Sequence, residues 1–327
     1  QSGVGGSTDA WLLKRNSTGS RYISQVLSLS SAQYSFTVYL KAESTNWAYL
    51  WSYDGTTENN AYFDLQNGVV GNTSGANFDG TKIESVGDGW YRCTLIYTQI
   101  TTIVRIYPAY SNGNISTGND NGIYIQYSQI EQGSYPTSYI PTVASSVTRN
   151  QDIFTRDGIG SLINSTEGVL FAEMAALSDD GTTRVITLND GSANNSVRLY
   201  YFSTSNAIAL VIRKGGSAVV SESYVLSDVL TFNKFAVKWK ENDVALWVNG
   251  SEVDTENSFS TFSANTLNKI SFSRGNDTNY FFGKVKQLQV YDTALTDNQL
   301  IQLTGESGTH FFESYAEMAE ALTYTIQ

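Results

Sequence analysis

The chain has 327 residues, 41% of them hydrophobic and only 16% charged, with 31 acidic against 20 basic side chains and a net charge of −11. That length suits two domains of ordinary size. The acidic balance argues against nucleic acid and anionic membranes, whose phosphates repel such a surface and give it no counterion release. A single cysteine, Cys93, and a single histidine, His310, exclude an internal disulfide framework, a CxxC site and a two-histidine metal centre.

In chain order, residues 1–10 (QSGVGGSTDA) are Gly/Ser-rich and read as a flexible linker, without the basic and apolar stretches of a signal peptide. The start at Gln suggests a processed chain or a fragment of a longer one. No run approaches about 18 apolar residues, so membrane insertion is not expected. From Trp11 onward, short alternating segments are separated by turn clusters. Strands are predicted at 22–29, 34–41, 47–53, 61–65, 69–71, 83–86, 90–98, 102–108 and 122–130. Asp54-Gly55, Asn67-Gly68, Asp79-Gly80, Asp88-Gly89, Asn112-Gly113 and Asn121-Gly122 supply residues that tolerate positive φ. No amphipathic helix appears before residue 290. The class is all-β, beginning with an antiparallel sandwich of eight or nine strands over residues 11–149.

The stretch GIYIQYSQIEQGSYPTSYIPTVASSVTR at 122–149 holds two of the three prolines, Pro136 and Pro141. It alternates up to Gly133 and is Pro-punctuated afterwards, as a closing strand followed by a pinned exit. With GDGWYRCTL at 87–95, it resembles a carbohydrate-binding-module-like β-sandwich of tailed-phage structural proteins and some marine bacterial surface proteins. The resemblance covers about 10–149. It implies a jelly roll on a virion or cell surface and transfers no ligand residues.

After a link at 150–163, a second series predicts strands at 168–176, 183–188, 196–202, 207–213, 218–224, 233–240, 243–248, 251–254, 268–273 and 283–291. The clearest hairpin is FAVKWKENDVALWVNGSEV, turning at Glu241-Asn242-Asp243 and again at Asn249-Gly250. Together with GKVKQLQVYDTALTDNQLIQLT at 283–304, it resembles the concanavalin-like, laminin-G-type sandwich over about 165–304. Thr296 and Gln299 form a capping-box pattern, which predicts a short helix at 297–303. In the tail, 305–327, Phe311, Phe312, Tyr315, Met318, Ala319 and Leu322 recur at helical spacing. An amphipathic helix is expected there, docked on the second sandwich or serving self-association. The expected fold is therefore two tandem antiparallel jelly-roll/concanavalin-like sandwiches, 11–149 and 150–304, with a short C-terminal helix.

Catalytic signatures are missing. No ExDxxE run places paired carboxylates on one strand face, and G-x-S-x-G, a P-loop and H-E-x-x-H are absent. The acids sit mostly in turns beside Gly or Asn. Near Asp180, Asp190 and Asp277 these turns have the oxygen chemistry of calcium loops, although without EF-hand spacing; otherwise no cofactor is expected. Sugar binding needs aromatic faces with a few oriented polar groups. Trp47, Tyr49, Trp51 and Tyr53 share one face of a strand, with Asp54 at its end, while Ala48, Leu50 and Ser52 share the other. Either the aromatic face is core, or the small face is core and four aromatics point outward. Tyr107, Tyr110 and Asn112 form a second candidate set. Arg184, Asn189 and Asp190, with Arg198, Tyr200 and Tyr201, form a third. The expectation is a non-enzymatic virion protein, a phage tail fibre or decoration at the virion surface or outside the cell. Its expected partners are cell-surface glycan or polysaccharide and other virion proteins, and a homotrimer would add avidity. The alternatives are a purely structural virion protein and a secreted polysaccharide-active enzyme or its accessory module.

Overall fold

The computed structural model describes residues 2–15, 21–116, 122–143, 145–149 and 153–305. Its chain divides into two compact units, Gln1–Asn150 and Gln151–Gln327. Both are antiparallel β, and the one α-helix among the described residues is short. The tail helix expected at 305–327 and His310 fall at positions outside the described residues, from 306 onward.

The first unit holds β1 (Trp11–Lys14), β2 (Ile23–Ala42), β3 (Trp47–Tyr53), β4 (Glu58–Asp64), β5 (Val69–Gly75), β6 (Phe78–Ser85), β7 (Trp90–Ala109) and β8 (Gly122–Gln132). They form one sheet in the order β1-β8-β2-β7-β3-β4-β5, with β6 also on β7. Two strands expected at 22–29 and 34–41 are one 20-residue strand, and those at 90–98 and 102–108 are another. Their pairing slips at Val26/Leu29 and again at Leu29/Ala32. Such bulges bend a strand without ending it.

The bend doubles the sheet back on itself. The first part of β7 lies between β2 and β6, and the last part between β2 and β3. Between the two layers sit Phe36, Val38 and Leu40 of β2, Ala48 and Leu50 of β3, Phe63 of β4, and Cys93, Leu95 and Ile106 of β7. The small face of β3 is thus the core face. Cys93 is wholly buried, and burial pushes its thiol well above the ordinary value, so it packs as a small hydrophobe.

The segment expected to be a flexible linker, residues 1–10, is tied to β8 through Val4 and Ser7. The Gln126 Oε1 accepts from the Val4 amide at 2.8 Å, and its Nε2 donates to the Ser7 hydroxyl at 2.5 Å. A Cβ on the buried Gly3 would meet the Ser7 hydroxyl at 2.4 Å, so glycine permits this close approach.

The second unit comprises β9 (Thr155–Arg156), β10 (Gly168–Ala176), β11 (Arg184–Asn189), β12 (Ser196–Tyr201), β13 (Ala207–Lys214) and β14 (Ser217–Val225). It continues with β15 (Asn233–Trp239), β16 (Val244–Val248), β17 (Ser251–Glu256), β18 (Lys269–Ser271), β19 (Gly283–Tyr291) and α1 (Asp297–Thr304). A five-stranded sheet, β17-β16-β15-β10-β19, faces a six-stranded one, β14-β13-β12-β11-β18-β9, across a core that includes Leu170, Ile186, Leu199, Leu210, Phe235 and Trp239. The expected Asn249-Gly250 turn is present, with both residues at positive φ as a two-residue hairpin requires. α1 carries the predicted capping box and buries Leu300 against Val169, Phe171, Ala236 and Trp247 on the other face of the five-stranded sheet.

Candidate functional site

The aromatic row of β3 lies on the face of the sheet opposite the core, but its rings are not an open platform. Tyr49 and Trp51 are 6% and 8% exposed, and they pack with Tyr62 of β4 and Tyr107 of β7, with Trp47 and Tyr53 half-buried beside them. Two groups pack on the Trp51 ring. The Arg105 guanidinium lies 4.4 Å from its centroid on the Trp51 ring, and Tyr53 stacks on it at 5.2 Å. Arg105 also lies 4.3 Å from the ring centre of Tyr22, giving a ladder Tyr22–Arg105–Trp51–Tyr53. The Trp51 indole N–H donates to Glu58 at 2.7 Å. Burial, reinforced by Tyr62 and Glu58, raises the Tyr49 hydroxyl far above its ordinary value, so it stays protonated. Of the two readings open at the sequence, neither holds whole: the row is outside the core and still packed.

The remaining sequence candidates divide in the same way. Asp54 caps the β3–β4 turn, accepting from the Thr56 and Thr57 amides at 2.7 and 2.6 Å, and these bonds hold its carboxyl below the usual range. Tyr107 is buried under Tyr22, whereas Tyr110 is exposed. Asn112 is paired with Asn72 through its own amide and the Asn72 backbone. In the second unit, Arg184 is buried and bridges Asp180 at 2.8 Å. Asn189 is buried and donates to Ser271, and Asp190 accepts from Ser192 and Asn195. Arg198 and Tyr201 are also buried and Tyr200 is half-buried, so none of the three sets presents all its members on an open surface. Asp277 sits at a positive-φ turn. Among the described residues no three His, Cys, Asp or Glu side chains converge as a metal group would require.

An open cleft lies elsewhere in the first unit, around β8. The pairing of β2 with β8 slips between Thr37 and Tyr39, setting Tyr127 and Ser128 of β8 against the single residue Val38, a bulge of one extra residue. Tyr127 adopts φ 50, a conformation costly for an aromatic residue and therefore held by its surroundings. Its ring stacks on Tyr139 at 4.4 Å and meets the edge of Tyr39 at 5.6 Å.

What holds Tyr139 there is the Pro-punctuated segment after Gly133. The carboxylate of Glu131 accepts from the Thr137 amide and hydroxyl at 2.8 and 2.5 Å, and Gln129 accepts from the Ile140 amide at 2.7 Å. Arg92, from the GDGWYRCTL stretch, donates to the Thr137 carbonyl. The two sequence stretches that carry the first resemblance thus form one latch. The resulting cleft has a volume of about 520 Å³ and is lined by Asp9, Trp11, Gln126, Tyr127, Ser128, Tyr139 and Pro141. Trp11, on the edge strand β1, is 75% exposed.

The sequence reading does not single out this cleft. In the sequence Trp11 opens the first apolar segment, and Tyr127 fits the alternation of the closing strand. The available signal was the glutamine, serine and tyrosine crowding of YIQYSQIEQ just before a Pro-rich exit.

No curated protein matches the sequence. Among solved structures, the chain is similar to the Ruminococcus gnavus IT-sialidase CBM40 bound to α2,3-sialyllactose, at 17% identity over 44% of this chain and 85% of that one, with a TM-score of 0.38. It is similar to the leech intramolecular trans-sialidase at 19% identity and TM-score 0.38, over 46% of this chain and 25% of the enzyme, so it spans a quarter of that protein. Domains LG4-5 of the mouse laminin α1 chain align at 10% identity over 90% of this chain and 94% of theirs, with a TM-score of 0.34. Within the second unit, residues 171–301 match the family model of the concanavalin A-like lectin/glucanases superfamily.

Proposed function

We propose that this chain is a non-catalytic glycan-recognition protein and that its first unit takes sugar in the cleft around β8. The observation that carries the reading is the cleft itself. An exposed indole, Trp11, and a stacked tyrosine pair, Tyr127 and Tyr139, stand beside the carboxylate of Asp9 and the hydroxyl of Ser128. Apolar ring faces for pyranose C–H edges, with a few oriented polar groups, are the composition of a small-molecule site, and the volume lies in the usual range of about 300–1,000 Å³. The latch and the bulge hold these rings in place before ligand arrives, which lowers the ordering cost of binding. The match of the second unit to the concanavalin A-like lectin/glucanases superfamily supports carbohydrate as the class of ligand. The likeness of the 122–149 stretch to tailed-phage sandwiches supports a setting on a virion or other extracellular surface, among other structural proteins.

The test is binding of the intact chain to a broad bacterial glycan array, with and without calcium, followed by product analysis on any hit. Glycan retained uncleaved, with Trp11→Ala and Tyr127→Asn each weakening it about tenfold or more, is the expected result. Asn accepts the positive φ at position 127, so that variant should keep its melting temperature near the parent's. Cleavage of the glycan would overturn the non-catalytic reading. Silence across the array would leave the purely structural role.

A further inference from the structure

The six-stranded sheet of the second unit gathers three arginines on its outer face. Ser196 and Arg198 of β12 lie opposite Arg213 and Val211 of β13, so Arg198 and Arg213 are diagonal neighbours on that face, with Tyr200 next along β12. The register of β11 puts Thr187 opposite Arg198, and the Thr187 hydroxyl donates to the Ser273 carbonyl, which brings the following residue, Arg274, over the same row. Gly275 makes that descent feasible: at φ +92, a Cβ there would lie 2.6 Å from the Ser192 carbonyl. Two loops, 190–195 and 273–278, therefore lie beside Arg198 and meet at Ser192 and Gly275.

Arg198 is only 3% exposed. Its Nε donates to the Ser196 hydroxyl at 2.9 Å and its Nη2 to the Ala193 carbonyl at 2.6 Å, which leaves Nη1 without a hydrogen bond among the described residues. Arg213 donates to the Gly216 carbonyl, and the exposed Arg274 makes no side-chain hydrogen bond among them. None of the three meets a carboxylate among the described residues, although acids outnumber bases 31 to 20 in the chain. Burial pulls the Arg198 guanidinium down to about 10, and the charges of Arg274 and Arg213 act in the same direction. A desolvated cation among like charges is costly unless something pairs with it. In an acidic protein, internal carboxylates were the cheap remedy, and they are not placed here.

We propose that Arg198, Arg213 and Arg274, walled by Tyr200, form a binding site for the oxyanion of an acidic saccharide, a sugar carboxylate or a sulfate ester. Arg198 supplies the fixed, desolvated donor at the base, and Arg274 closes from the loop. Planar guanidinium forks match either oxyanion through paired N–H donors. The proposal rests on the glycan-recognition reading and adds a second site of different chemistry to it.

The experiment is titration of the intact chain with three probes: a uronic-acid oligosaccharide, its carboxyl-reduced neutral counterpart, and that neutral counterpart bearing sulfate esters. The expected result is tighter binding of one or both charged probes, weakened at least tenfold by Arg274→Ala and by Arg198→Met, and weakened by raising the salt from 0.05 to about 0.5 M. The charged probe that binds tells carboxylate from sulfate. Arg274 is exposed, so its variant tests the site even where Arg198→Met fails to fold. Equal binding of all three probes, binding of none, or charged-probe binding indifferent to Arg274→Ala would overturn the proposal. Trp11→Ala should leave the charged-probe affinity intact while removing neutral-sugar binding in the first unit, which separates failure here from failure of the cleft.

Discussion

At the scale of single residues, the chain spends its charged groups on holding loops in place. Glu131 is the clearest case, because its two carboxylate oxygens fasten Thr137 and through it the strand exit that carries Tyr139. Hydrogen bonds to a charged group contribute about 1.5–3 kcal/mol each. Glu131 and Thr137 are only half-buried, so solvent competes and the net loss falls near the lower end. Glu131→Ala should therefore cost the first unit about 1–2 kcal/mol, read as a fall of several degrees in its thermal midpoint, and should weaken glycan retained by the cleft. An unchanged midpoint would show that the exit segment is held without this carboxylate. Trp51 teaches the complementary point. Its indole is buried, packed with Arg105 and Tyr53 and bonded to Glu58, so its removal measures the packing of the first unit rather than a sugar contact.

At the scale of elements, two devices shape what the units can present. The first is irregularity within long strands: β2 and β7 bend the sheet into a sandwich through slipped pairing, and β8 turns out Tyr127 at the same kind of defect. From the sequence β2 and β7 each look like two strands, because polar and small residues at 30–33 and mostly polar ones at 98–102 interrupt the alternation, the signature shared by a turn and a bulge. The second is the cap of α1. The Thr296 hydroxyl accepts from the Gln299 amide and Gln299 reaches back to the Thr296 amide, so both residues satisfy donors that a helix start leaves open. Thr296→Ala should destabilise the second unit by about 1 kcal/mol, measured by denaturant titration, with the slope unchanged. Thr296→Ser should restore most of it, and failure of that rescue would assign the loss to something other than the cap.

For the whole molecule, each unit owns a separate core. One is built from β2, β3, β4 and β7, the other from the facing sheets of the second unit. Compact units with their own cores can fold alone. Residues 1–150 and 151–327, produced separately, should each unfold cooperatively on heating, and the two melting curves should together account for that of the full chain. Aggregation or a non-cooperative melt of either fragment would show that its core is incomplete without the other.

The sequence by itself determined the class of fold, because alternation with period two and turns at Asp-Gly and Asn-Gly are local properties that tertiary context rarely reverses. It likewise determined the capped helix, expected at 297–303 and observed at Asp297–Thr304, and the hairpin at 235–253, where turn chemistry and register sit within a few residues of each other. Parity on β3 correctly sorted Ala48 and Leu50 from Trp47, Tyr49, Trp51 and Tyr53. It could not say what lies over the aromatic face, since Arg105 and Tyr107 arrive from β7 and Tyr22 from the segment just before β2. Trp11 with Tyr127, and Arg198 with Arg213 and Arg274, are brought together only by register, a bulge and loop closure. Those are outcomes of packing a particular pair of sheets, and no spacing along the chain records them.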